Sequence, residues 1–209
     1  MIFQYKQMTD RAGAKRTCIR FLYWIVIFLS LFSGSCVNPF NPDLRDNGSN
    51  LPANATPTEL LQTLEQSYAQ KNINLFKSCL SPDFRFELLS SEVSQIGIDL
   101  NNDGFKDAWW GYDQEVEYHY NLFEQGSTDG IYQPPDQINL RLQIPPSDQW
   151  QPDAQPGHEN WIIIPCLFDL QLLFTANNSS ITSNGVARFY LKQTGERWFI
   201  AIWRDESNI

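Results

Sequence analysis

The segment from Asp99 to Asp107 reads Asp-Leu-Asn-Asn-Asp-Gly-Phe-Lys-Asp, with oxygen-bearing side chains alternating ahead of a glycine. Ca2+ takes about six to eight oxygen ligands, and alternate side chains of a tight loop can turn inward to provide them. Asp99, Asn101, Asp103 and Asp107 would supply side-chain oxygens and Phe105 a backbone carbonyl, while Gly104 permits the sharp turn. Three carboxylates this close repel one another unless a positive charge sits among them. The competing reading is an Asx-rich turn that caps whatever follows it.

Proton chemistry has fewer candidates. Asp169 lies between Phe168 and Leu170 in the most apolar stretch of the chain, and His119 lies beside the apolar face of a helical pattern. Either could act as a base in an apolar hollow. Equally, Asp169 could face solvent or pair with Arg141 or Arg188, and His119 could be a hydrogen-bonded core residue. His158 falls in a polar segment where no special role is expected, and two histidines so far apart offer no zinc spacing. Trp109, Tyr112 and Tyr120 could line a ligand pocket or simply pack. No nucleophile triad, phosphate-binding loop or dinucleotide fingerprint is present.

The N-terminal segment carries an address. Lys6, Arg11, Lys15, Arg16 and Arg20 precede the apolar run from Phe21 to Phe32, the order of a charged region and an apolar region in an export signal. At about 1.5 Å per residue that run covers only about 18 Å, against roughly 30 Å for a membrane core. Ser33-Gly-Ser-Cys36 follows and resembles the lipobox of bacterial lipoproteins, although Ser33 stands where that family prefers Leu. The resemblance implies cleavage before Cys36 and a lipid on its thiol; an ordinary cleavage site with a free Cys36 is the alternative. The expected divisions are a signal over 1–35, a lipidated Cys and flexible linker over 36–55, and a domain over 56–209. The protein would then sit outside the cytoplasm, anchored in the cell envelope.

Cleavage there would leave ten basic and 23 acidic residues, a net charge of −13. Such a surface repels nucleic acid, which excludes nucleic-acid-binding functions. Cys79 and Cys166 would remain, either paired or as buried thiols.

Between these features run the elements that must position them. Thr56-Pro-Thr-Glu59 predicts a capped helix start, and Leu60, Leu61, Leu64, Tyr68 and Ala69 follow at helical spacing. A short helix through Leu75, Phe76 and Cys79 precedes a strand over 84–88, and a second strong helical pattern runs from Trp109 to Gln125. Strands are predicted at 138–144, 161–174, 186–192 and 198–204. Early helices and long late strands define an α+β domain.

That order is similar to the nuclear transport factor two-like superfamily, including its SnoaL-like cyclases and its steroid isomerases. The resemblance is carried by Tyr68 to Asn72 with Phe76, by Ser81-Pro-Asp-Phe-Arg-Phe86, by Trp110 to Glu115 leading to Phe123, and above all by Gly185, Ala187, Phe189 and Leu191 followed by Gly195, Trp198, Ile200, Trp203 and Asp205. It implies a cone in which a strongly curved antiparallel sheet wraps around N-terminal helices and leaves a cavity at the wide end. It further implies a ligand- or partner-binding domain, or an isomerase or cyclase with an acid or His base, and dimerisation through the sheet's outer face. The acidic loop separately looks like the calcium loops of EF-hands and of integrin-type propeller repeats. It departs from an EF-hand at the twelfth position, where Trp110 stands instead of Glu.

Overall fold

The computed structural model describes residues 51–127 and 132–206. The expected export signal over 1–35, Cys36 and most of the expected linker lie outside the described residues.

Helix α1 (Pro57–Ala69) starts as its sequence dictates: the Thr56 hydroxyl accepts the Glu59 N–H at 3.2 Å and Pro57 occupies the first turn. Glu59 reaches back to the N–H of Ala55 at 3.0 Å. Packing begins before Thr56, because Asn54 is fully buried, accepts from the Thr63 hydroxyl at 2.9 Å and takes the Trp198 N–H on its carbonyl. Asn72 caps α2 (Ile73–Cys79) through two backbone N–H groups at 3.0 Å. Strand β1 (Leu80–Glu87), the one-turn helix α3 (Val93–Ile96), β2 (Trp109–Gly111) and helix α4 (Tyr112–Tyr120) follow, and α4 continues as a π-helical turn over Asn121–Gln125.

The remaining strands are β3 (Gln137–Gln143), β4 (Gln151–Pro152), β5 (Trp161–Phe174), β6 (Ser179–Thr194) and β7 (Arg197–Asp205). The sheet order is β2-β1-β7-β6-β5-β3, with β4 beside β5; only the β1–β7 pair is parallel. Pro165 sits inside β5 without breaking a ladder: β3 pairs with Leu167–Leu173 and β4 with Ile162–Ile163, so Pro165 falls between them. The strongly curled sheet wraps the helices in a half-barrel, the α+β cone expected from the sequence.

An aromatic row crosses the inner face. Trp110, Phe86, Trp203 and Phe189 come from β2, β1, β7 and β6 at paired positions. Trp110 stacks on Phe86 with centroids 4.5 Å apart, and Phe189 lies 5.0 Å from Trp203. Such pairs contribute about 0.5–1.5 kcal/mol each beyond their burial. This row also corrects one expectation. Trp109 and Trp110 open not a helix but strand β2, whose register on β1 puts Trp110 over Phe86; the helix starts after Gly111.

The buried face of α4 is likewise turned by one position from its apolar pattern. Glu115, His119 and Phe123 face the core, whereas Tyr120 is exposed. The expected turn at Asn177–Ser180 lies two residues earlier: Asn178 takes the left-handed conformation at φ 49° and Ser179 already belongs to β6.

Candidate functional site

The titratable cluster of the interior is built on α4. Residues four apart stack on one helix face, so Glu115, His119 and Phe123 meet Tyr68 from α1 and Phe76 from α2. His119 is 8% exposed, Tyr68 4% and Glu115 2%. Its ring lies parallel to Phe76 with centroids 3.8 Å apart, while Tyr68 and Phe123 present edges at 5.3 and 5.6 Å.

Both ring nitrogens of His119 are engaged. Nδ1 lies 2.9 Å from the carbonyl of Glu115, which can only accept, so Nδ1 carries the proton. Nε2 is then the acceptor for the Tyr68 hydroxyl at 2.5 Å. The carboxylate of Glu115 approaches the same Nδ1 at 3.4 Å and accepts Trp110 Nε1–H at 2.5 Å. A continuous polar chain thus runs from β2 through α4 to α1.

Burial shifts both titrations. It lowers His119 to about 4, opposed by the Glu115 carbonyl, so the imidazole is neutral at pH 7. Burial also raises Glu115 to about 7, partly offset by the Trp110 hydrogen bond. The Tyr68 hydroxyl is pushed well above its ordinary value by burial and then by Glu115. The sequence marked His119 but missed Glu115 and Tyr68 as its partners. The available signal was the four-residue spacing of Glu115 and His119 on a helix that packs against Tyr68.

Asp169 does not join this chain. It is exposed on the opposite face of β5, in register with Arg141 on β3 and Asn184 on β6. Arg188 pairs with Glu206 instead. His158, expected to be unremarkable, is held: its Nδ1 lies 2.6 Å from the buried carboxylate of Asp153, and its ring stacks on Trp161 at 3.7 Å. Cys79 and Cys166 are free and buried, and burial pushes both thiols to about 12.

Clefts among the described residues include two that are open to solvent. One of about 770 Å3 lies between the start of α1 and the end of β3, beside Glu65, Ile144, Pro146 and Trp150. The other, of about 750 Å3, is walled by Leu80, Pro82, Tyr112 and Phe199, with Lys77 and the Asp83–Lys192 ion pair also lining it. Neither is lined by His119, Glu115 or Asp169. The three aromatic pocket candidates do not converge. Tyr112 lines the second cleft, Trp109 packs under Arg85 at 4.3 Å and is 38% exposed, and Tyr120 is exposed on α4.

The acidic loop closes on its own backbone. Asp99 accepts the N–H groups of Asp103 and Gly104, Asn101 accepts that of Asp103, Asp103 that of Phe105, and Asp107 that of Leu100, all at 2.8–3.1 Å. Asn102 and Gly104 adopt positive φ, as so tight a wrap requires. Among the described residues no group of three or more His, Cys, Asp or Glu side chains is arranged to hold a metal ion.

The opposed shifts fix a pH dependence. Between 4.5 and about 7 folded Glu115 keeps a proton that the unfolded chain has released, so its contribution to stability falls as pH rises. Between about 4 and 6.5 unfolded His119 binds a proton that the folded ring refuses, so its contribution rises with pH. The two cancel where the windows overlap. Glu115→Gln, which keeps an acceptor for Trp110, removes only the Glu115 contribution, so its stability should climb relative to the parent between pH 4.5 and about 7, by up to about 1.4 kcal/mol per pH unit. Urea unfolding across that range checks this; parallel profiles for the two proteins would contradict it.

No family model matches the chain, and no curated protein matches it. Solved structures do. A proposed aromatic ring hydroxylase from Novosphingobium aromaticivorans is 12% identical, with a TM-score of 0.50 over 77% of this chain and 92% of that one. An NTF-2-like protein of unknown function from Shewanella oneidensis is also 12% identical, with a TM-score of 0.42 over 71% and 93%. A proposed scytalone dehydratase from Novosphingobium aromaticivorans is 6% identical, with a TM-score of 0.47 over 73% and 81%. At such identities the likeness is one of fold alone: a curled, mostly antiparallel sheet around helices, similar to the nuclear transport factor two-like cone.

Proposed function

We propose that the chain is a membrane-anchored extracytoplasmic lipoprotein whose cone domain binds a ligand or protein partner without catalysing a reaction. The observation that carries the non-catalytic reading is the engagement of both His119 nitrogens inside a ring of Tyr68, Phe76 and Phe123. A general base needs a lone pair within reach of substrate, and this one is spent on Tyr68. Binding is assigned to the solvent-open cleft of Tyr112 and Phe199, where apolar walls surround a few charged groups.

The enzyme reading rests on Glu115, a buried carboxyl held near neutrality. That is the tuning a proton-transfer catalyst requires. It needs α4 to move so that substrate reaches the carboxyl.

The anchor reading rests on the order of charged segment, apolar run, small residues and Cys36. Lipid chains contribute about 0.8 kcal/mol per buried CH2, so two or more chains hold a soluble domain at a membrane. Mass spectrometry of the mature N-terminus should find a lipid-modified Cys36, and Cys36→Ser should move the protein from the membrane fraction to the soluble fraction. An unmodified Cys36, or a mature chain starting elsewhere, would overturn the anchor.

Calcium at Asp99, Asn101, Asp103, Phe105 and Asp107 is part of the same proposal. The wrapped loop supports it by bringing the acceptors onto one turn, but the side chains would have to turn further inward to coordinate. A site that pays for such rearrangement belongs with extracellular modules, which bind at about 10⁻⁴–10⁻³ M. Calorimetric titration should give heat with the parent and none with Asp103→Ala; silence from the parent would remove the calcium reading.

A further inference from the structure

Strand β6 is paired on one side along its length but on the other only in part. Strand β5 accompanies it from Ser179 onward, whereas β7 pairs only with Ala187–Thr194. Below Ala187 the last contact is the Glu206 N–H, which donates to the carbonyl of Val186 at 2.8 Å. In an antiparallel strand the N–H and C=O of one residue point to the same side, and alternate residues point to opposite sides. The Val186 carbonyl faces the β7 side, so the backbone groups of Asn184, Thr182 and Ser180 face that side too. Among the described residues no strand covers them there.

The composition of this edge is unusual for one left to solvent. Natural edge strands carry charges or proline that block further pairing. Residues 179–186 read Ser-Ser-Ile-Thr-Ser-Asn-Gly-Val, with neither, in a chain whose net charge is −9. Ser179 to Asn184 are exposed, and Ile181 shows 57% of its surface. Two acidic copies repel wherever their charged surfaces meet, but not along this uncharged run.

We propose that this edge pairs antiparallel with the same edge of a second copy, joining the two sheets across a two-fold axis. Two-fold pairing is self-complementary, so one strand serves as both halves of the interface. Parity, together with the pairing of all three residues among themselves, selects the register. With Thr182 on the axis, it exchanges backbone hydrogen bonds with Thr182 of the partner subunit. Ser180 then exchanges with the partner's Asn184, and Asn184 with the partner's Ser180. Every outward-facing N–H and C=O of these three residues finds a partner, and a shift of one residue leaves them facing groups that point away. The Thr–Thr pair at the centre is itself a favourable cross-strand neighbour. This interface differs from one through the outer face of the sheet, because it uses the edge alone.

Hydrogen-bonded antiparallel residues have Cα atoms about 5.5 Å apart, inside the roughly 4.4–6.8 Å range of a disulfide. Mild oxidation of the full chain carrying Thr182→Cys should therefore give a disulfide-linked species of twice the monomer mass. The same chain with Asp169→Cys, exposed on β5, provides the background. Ser180→Cys alone should not cross-link above that background, but mixed with Asn184→Cys it should. Adding Thr182→Pro removes an outward N–H and should abolish the mixed cross-link while circular dichroism stays unchanged. No dimer from Thr182→Cys beyond the Asp169→Cys background, or a mixed cross-link that survives Thr182→Pro, would overturn the proposal, as would a cross-linked product of any other mass.

Discussion

The contact between the Tyr68 hydroxyl and Nε2 of His119 decides what the interior of this cone can do. It joins α1 to α4 at 2.5 Å in a region that water scarcely reaches. With Nδ1 committed to the Glu115 carbonyl, the imidazole keeps one tautomer and no charge. A buried polar group left without a partner costs about 1–3 kcal/mol, so each member of the chain from Trp110 to Tyr68 fixes its neighbours. Phe76, stacked on the same ring, fills the space beside it. The space around His119 is thus filled by the protein's own side chains, and His119 lines neither of the two solvent-open clefts.

The strands were legible in the sequence because their burial follows a period of two. Ile138, Leu140 and Leu142 alternate with polar neighbours and are buried as that pattern demands. The bounds of β5 match its apolar run from Trp161 to Phe174. Legibility stops where the chain departs from apolar periodicity. On α4 the pattern Tyr112, Val116, Tyr120 and Phe123 suggested one face, but the helix buries Glu115 and His119 because hydrogen bonds to Trp110, Tyr68 and its own backbone replace their water. A hydropathy pattern cannot register that compensation. Trp109 and Trp110 read as helix because spacing alone does not reveal a cross-strand partner such as Phe86, 24 residues before Trp110.

The candidate site was legible only in part. His119 stood out by type, and of its two readings, a base or a hydrogen-bonded core residue, the structure shows the buried, hydrogen-bonded arrangement of the second. For Asp169 the apolar neighbours left a cavity wall, solvent or an arginine partner all open, and strand alternation sends it to the exposed face opposite Ile164 and Cys166. His158 looked idle because its support, Asp153 and Trp161, brackets it across a turn that no motif marks. In the acidic loop the spacing allows either a cation site or an Asx-rich turn; its oxygens receive N–H groups from the same loop.

The cleft proposed for binding beside Tyr112 and the β6 edge proposed to pair with a second copy both lie apart from the buried cluster around His119. The non-catalytic reading proposed above rests on a neutral His119 imidazole with both nitrogens engaged. Nitrogen-15 NMR of the His119 imidazole across pH 5 to 8 tests it most directly. The expected result is a protonated Nδ1 and an unprotonated Nε2 throughout, with titration only near pH 4. An imidazole that gains its second proton near its ordinary value of 6.5 would contradict it.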